Sequence, residues 1–175
     1  EELTLTTNGT RLAQHAAMLA DAGVRRINVS VNTLDPAAYT FITRGGDIND
    51  VFAGLKAAHS EGIAIKINMV ALKGVNDDQF LPMARWCAAQ GHDLTLIETM
   101  PLGVIDDDRA DRYMPLSHAV AAIEAEHPLS PLPHRTGGPA RYFAPQGLDT
   151  RLGLITPLSN NFCAGCNRMR LTCEG

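Results

Sequence analysis

Hydrophobic and polar residues alternate with two different periods along the first hundred positions, and the two periods take turns. Leu3 and Leu5 alternate with Thr4 and Thr6, which predicts a strand over 3–7 closed by the turn pair Asn8-Gly9. Leu12, Ala16 and Leu19 then recur at helical spacing, predicting a helix over 10–22 that stops at Gly23. The same succession follows twice more. A strand over 26–31 leads to a helix over 47–61, striped by Ile48, Val51, Phe52, Leu55 and Ala58 and ended by Gly62. A strand over 63–72 leads to a helix over 77–90 before Gly91, and a last strand covers 94–100. Strand–helix alternation of this kind implies parallel strands joined by right-handed crossovers.

The strands carry a second regularity. Ile27, Val29 and Val31 alternate with Asn28, Ser30 and Asn32, and Ile63, Ile65, Ile67 and Met69 alternate with Ala64, Lys66 and Asn68. A strand covered by helices on both faces should be apolar throughout. One apolar and one polar face instead fit an α/β fold that is an incomplete (β/α) barrel, whose polar face lines a ligand-bearing lumen. A sheet with one solvated face is the alternative. Glu98 breaks the pattern, because it shares a face with Leu94 and Leu96.

Beyond Met100 the character changes. A charged loop (Asp106 to Arg112) precedes a helix that Ser117 would cap and that would run to His127, where Pro128 ends it. A stretch rich in Pro and Gly follows, with short strand candidates at 141–143 and 152–155. This divides the chain into residues 1–103, the barrel part, and 104–175, a C-terminal extension that leaves the barrel and returns across it.

Composition adds boundaries. The chain is 45% hydrophobic and 19% charged with net charge -4, which is ordinary globular composition with no electrostatic pull toward nucleic acid. No apolar run approaches the ~20 residues of a membrane span, and nothing resembles a signal peptide. The first residues are already strand-like, without Met, and both ends look cut. Of the four cysteines, Cys87 falls among apolar helix positions, while Cys163, Cys166 and Cys173 cluster near the end. That clustering favours metal ligation in a reducing compartment over a disulfide framework. The histidines are scattered without ligand spacing.

The sharpest constellation is Phe162-Cys163-Ala164-Gly165-Cys166-Asn167-Arg168-Met169-Arg170. Two thiolates at this spacing can share one metal or cluster, and the small residues between them permit a tight turn. A zinc half-site and a redox pair stay open on spacing alone. Arg168 and Arg170 point the same way in an extended segment and would clamp a phosphate or carboxylate. Lys66 is a lone cation on the polar strand face.

Taken in order, Leu5-Thr6-Thr7-Asn8-Gly9, Arg26-Ile27-Asn28-Val29-Ser30-Val31, Lys66-Ile67-Asn68, Gly74-Val75-Asn76-Asp77, Ile97-Glu98-Thr99-Met100, Gly153-Leu154-Ile155 and the cysteine–arginine segment resemble the MoaA family of GTP 3′,8-cyclases. The resemblance covers essentially the whole chain. It implies a radical S-adenosylmethionine (SAM) barrel with two 4Fe–4S clusters at opposite ends, and a cytoplasmic lyase of molybdenum cofactor biosynthesis. The first cluster cleaves SAM to a radical that abstracts hydrogen from the ribose of GTP, and the sugar carbon then attacks C8. The second cluster holds the purine. By position, Cys163 and Cys166 resemble two of the three ligands of that second cluster. Thr6, Lys66, Arg168 and Arg170 resemble GTP-binding residues, and Ser30 and Met100 resemble SAM contacts. GTP is the implied partner, with a cyclic pyranopterin monophosphate synthase next in the pathway, room for a homodimer, and neither nucleic acid nor membrane.

The departures are specific. No Cys-x3-Cys-x2-Cys motif for the first cluster is present, and the family's third ligand of the second cluster falls past Gly175. Leu94-Thr95-Leu96 stands where an arginine is usual, and Asn32 where Asp is common. Two function classes follow: a cyclase of which this chain is a part that cannot turn over alone, or a stand-alone metal- or anion-binding module.

Overall fold

In a computed structural model of the 175-residue chain, residues 3–100, 112–136 and 138–160 are described. Four strands, β1 (Thr4–Thr7), β2 (Arg26–Ser30), β3 (Ala64–Ala71) and β4 (Asp93–Glu98), run parallel in sequence order. Between them lie α1 (Leu12–Asp21), α2 (Pro36–Thr43), α3 (Ile48–Ser60) and α4 (Phe80–Gln90). Each predicted strand is found within two residues of its expected ends.

The helices differ more from expectation, for local reasons. α2 escaped the periodicity because Tyr39 is its only buried residue, leaving no apolar stripe to read. Its start was nonetheless written in the chain: the Asp35 carboxylate accepts the Ala38 N–H at 2.6 Å, and Pro36 supplies a pre-set first-turn φ. α4 begins at Phe80 and not at 77, because residues 72–79 are used in a turn built around Asn76. The Asn76 amide, fully buried, accepts from Leu72 N–H at 2.8 Å and donates to the carbonyls of Asn32 at 2.7 Å and Val70 at 2.9 Å. α5 (Leu116–Glu124) starts one residue before Ser117, with Pro115 at its N-cap and no side-chain cap, and stops short of His127.

β5 (Leu129–Pro131), β6 (Arg141–Pro145) and β7 (Leu152–Ile155) complete one seven-stranded open sheet of order β1-β2-β3-β4-β7-β6-β5. β7 pairs parallel to β4, while β6 and β5 are antiparallel additions at that edge. β5 was not anticipated, since its proline and short length hide a strand among turn residues.

One face of the sheet is the core. Ile27, Val29, Ile67, Met69, Leu94, Leu96 and Leu152 are fully buried and belong to one apolar cluster with Leu12, Val51, Leu55, Phe80, Met83 and Ile123 of the helices. Burying such side chains contributes about 1.5–3 kcal/mol each. Close helix approach is set by glycine: a Cβ on Gly54 of α3 would lie 2.7 Å from the Gly9 carbonyl oxygen, in the turn before α1. The opposite face carries the polar residues of the alternation, as the barrel reading requires. The architecture is therefore a partial, open (β/α) barrel.

Candidate functional site

Strand register builds the lumen face row by row. Thr6 on β1 stands beside Asn28 on β2, Asn28 beside Lys66 on β3, and Lys66 beside Asp93 on β4. Two residues farther along, Ser30, Asn68, Thr95, Gly153 and Tyr142 form the next row across five strands. Three predicted site residues, Thr6, Lys66 and Ser30, therefore share one face, with Ser30 one row closer to the C-terminal ends. Met100 follows β4 at that same end and is half-exposed. Cys163, Cys166, Arg168 and Arg170 lie outside the described residues.

The electrostatics of the first row centre on Lys66, only 7% exposed. Its neighbour across the ladder is an acid, but Asp93 is already engaged: Arg151 grips both carboxylate oxygens, with Nη2 2.7 Å from Oδ2 and Nε 3.0 Å from each. Lys66 itself makes no hydrogen bond or ion pair among the described residues. A buried cation beside a neutralised acid is set up to receive an anion from elsewhere.

Around it stand acceptors without donors. Asn28 Nδ2 donates to Thr6 Oγ1 at 3.4 Å, yet Asn28 Oδ1, Asn68 Oδ1 and Thr95 Oγ1 are buried with no partner. Buried polar atoms are almost always paired in folded proteins, and each orphan costs about 1–3 kcal/mol. Gly153 leaves room beside one of them, since a Cβ there would sit 2.8 Å from Thr95 Oγ1. The stretch 132–136 approaches this face: the His134 ring meets Tyr142 edge-on at 4.7 Å, and the Thr136 hydroxyl comes within 3.5 Å of the Tyr142 hydroxyl. Partial burial, and then the positive charge of Arg151, lower the His134 pKa below the usual histidine value, with Arg26 and Lys66 adding to this and Asp93 opposing.

Glu98, the residue that broke the strand pattern, has a structural task. Its carboxylate, 1% exposed on the helix side, accepts the N–H groups of Leu158 and Ser159 at 3.0 Å each and the Tyr113 hydroxyl at 3.3 Å. Burial raises its pKa, but hydrogen bonds from Ser159, Leu158 and Leu116 outweigh that and hold it below the ordinary glutamate range. Glu98 thus ties the end of β4 to the entry of α5 and to the turn at 156–160, directly ahead of the cysteine segment.

Asn28 and Asn68 were visible as polar strand positions but lacked a chemical signature that would single them out. Thr95 could be found only as a departure from the arginine expected there. Cys87 is core, as its position suggested: it is fully buried, and burial drives its thiol pKa far up, so it stays protonated and inert.

Comparison with known families agrees with this layout. Residues 1–87 match the Radical SAM superfamily, and residues 92–175 match the Molybdenum Cofactor Synthesis C family. The full chain is 55% identical to a GTP 3′,8-cyclase of Rhizobium meliloti (strain 1021), covering 50% of that relative. It is 54% identical to one of Rhodopseudomonas palustris (strain TIE-1), covering 51% of it, and 53% identical to one of Erythrobacter litoralis (strain HTCC2594), covering 53%. The chain spans about half the length of the curated relatives it matches. A radical SAM methyltransferase from Sphaerobacter thermophilus superposes with a TM-score of 0.47 at 21% identity, over 67% of this chain and 37% of that one. The open barrel with its polar lumen and the family matches define a radical SAM protein. Within that superfamily the chain belongs to the GTP 3′,8-cyclase family.

Membership implies 4Fe–4S and SAM as cofactors in general terms. The lumen fits a hydroxyl- and amine-rich ligand such as SAM, since its orphan acceptors, Asn68 Oδ1 among them in the Ser30 row, call for donors. No group of three or more His, Cys, Asp or Glu gathers among the described residues. No helix among the described residues is long and apolar enough to cross a membrane.

Proposed function

We propose that this chain is the part of a GTP 3′,8-cyclase that supplies the central barrel strands and the substrate-side extension, acting in molybdenum cofactor biosynthesis. The reaction is that of a lyase converting GTP to (8S)-3′,8-cyclo-7,8-dihydroguanosine 5′-triphosphate, in the cytoplasm, with cyclic pyranopterin monophosphate synthase consuming the product. Residues 1–103 form the barrel portion and 104–175 the portion bearing part of the second cluster site.

The observation that carries this reading is Lys66: a buried lumen cation whose ladder neighbour Asp93 is already bound by Arg151. It neutralises part of the triphosphate, helped by Arg168 and Arg170, while Thr6 offers a hydroxyl from the neighbouring strand row. Ser30 and Met100, at the C-terminal ends of the strands, hold SAM. Cys163 and Cys166 are two ligands of the second 4Fe–4S cluster, which holds the purine. Bound SAM and its cluster supply the radical chemistry, for which no side chain here substitutes. The chain's own residues bind, orient and keep water from the reacting groups.

The test uses the intact cyclase. Lys66→Met, Arg168→Ala and Arg170→Ala should each weaken GTP binding by about one to two decades, from ~1.5–3 kcal/mol per charge-assisted bond. SAM cleavage uncoupled from cyclisation should persist. Arg85→Ala, on an outer helix, is the control. Unchanged GTP affinity in Lys66→Met would refute the reading. Replacing Cys163 and Cys166 together should leave one of two reconstituted clusters, and a double variant retaining both overturns the ligand assignment.

A further inference from the structure

On the helix side of the sheet, away from the lumen, a cavity of about 500 Å3 opens between α3 and α4. Phe52, Lys56 and His59 face it from α3, Trp86 and Ala89 from α4, and His92 from the turn before β4. It lies at the N-terminal end of β4, whereas Ser30 and Met100 mark the C-terminal ends of the strands.

Its wall is a relay of rings. Phe52 and Trp86 meet at 5.6 Å, Trp86 and His92 edge-on at 5.6 Å, and His92 and His59 at 6.2 Å. Only 5% of the chain is aromatic and Trp86 is its one tryptophan, so this concentration is not an average stretch of surface. His92 is 4% exposed. Burial lowers its pKa, the Gly91 backbone opposing in part, so it stays a neutral ring. Lys56 stands exposed at the rim, and its ammonium makes no hydrogen bond or ion pair among the described residues. No carboxylate lines the cavity, and Asp93, the acid nearest in sequence to His92, is held by Arg151. Two imidazoles without a third ligand among the described residues do not make a metal centre. The wall is part apolar (Phe52, Leu55, Trp86, Ala89) and part polar (His59, Gln90, His92); flat ring surfaces with one unpaired cation at the mouth recognise a flat aromatic body with one negative charge.

We propose that this cavity binds a planar aromatic carboxylate of about two fused rings, at a site separate from the lumen. The rings of the ligand pack against Trp86 and Phe52, and its carboxylate reaches Lys56 at the rim.

Trp86 stands in the cavity wall, so its surroundings change on occupancy. The intact cyclase is titrated with 2-naphthoate and, separately, with the neutral 2-naphthamide. Binding is followed by tryptophan emission and by saturation-transfer NMR on the ligand. The carboxylate should bind saturably and about fivefold more tightly than the amide, the ratio a single exposed ion pair gives. Lys56→Ala, an exposed change that leaves the fold intact, should erase the difference while both compounds still bind. Ala89→Phe, also exposed, should fill the cavity and abolish binding of both. No saturable binding, equal affinities in the wild-type chain, or binding that survives Ala89→Phe overturns the proposal.

Discussion

On the helix side of the sheet Ile67, Leu94 and Leu96 are fully buried among apolar neighbours; one position along each strand, on the lumen side, Asn28, Lys66 and Thr95 are nearly as buried and stand among polar atoms without partners. The two faces share strands, register and depth, so burial alone does not tell scaffold from site. What separates them is whether each buried group has its needs met. The helix face is complete in itself: its atoms want only dispersion contacts and find them. The lumen face is incomplete, with a cation lacking an anion and acceptors lacking donors among the described residues.

The comparison can be broken by substitution. The largest effect belongs to the helix face: Ile67→Ala or Leu96→Ala should lose about 2–5 kcal/mol of stability through lost transfer energy and a cavity, read as a lower urea midpoint. Next comes Glu98, the polar exception on that face. Glu98→Ala strands the Leu158 and Ser159 N–H groups and should destabilise by about 1–3 kcal/mol. Because its folded pKa is depressed, its contribution is present above the ordinary glutamate range and is lost as pH falls through the lower folded value. Urea unfolding of Glu98→Gln across acidic pH should therefore show a flatter profile than wild type.

On the lumen face the sign should reverse. Thr95→Val keeps the shape and removes an orphan hydroxyl, so without ligand it should leave stability unchanged or raise it by up to about 1 kcal/mol. A loss above 1 kcal/mol would mean that Thr95 has a structural partner and that the two faces do not differ as argued. Smallest of all is the Arg85–Glu126 ion pair, whose side chains are 48% and 52% exposed. Arg85→Ala should shift stability by no more than about 0.5 kcal/mol, and less at high salt.

The lumen was legible because strand alternation obeys a period of two whatever the fold, and Thr6, Asn28, Ser30 and Lys66 kept that period. α2 was hidden because a helix lying mostly in solvent has no stripe to show, although its Asp-Pro start was plain. The late start of α4 depended on Asn76 reaching Asn32, 44 positions earlier, a contact that no local pattern encodes. Glu98 looked like a flaw in a strand because its partners Leu158 and Ser159 sit 60 and 61 positions away. The site's orphan atoms could not be read in advance for the same reason: whether a buried amide is paired depends on everything packed around it.

The insertion of β7 between β4 and β6 also has a consequence for how the chain folds. β4 ends at Glu98 but its outer neighbour begins only at Leu152. While the chain is being made, the open ladder of β4, carrying the apolar Leu94 and Leu96, has to wait for more than fifty further residues before it is closed. Such a gap in sequence slows closure and leaves an unpaired strand edge exposed to other chains in the meantime. Asp93 at its first position, a charge at the mouth of that edge, is suited to discouraging the wrong neighbour until Arg151 arrives with the right one.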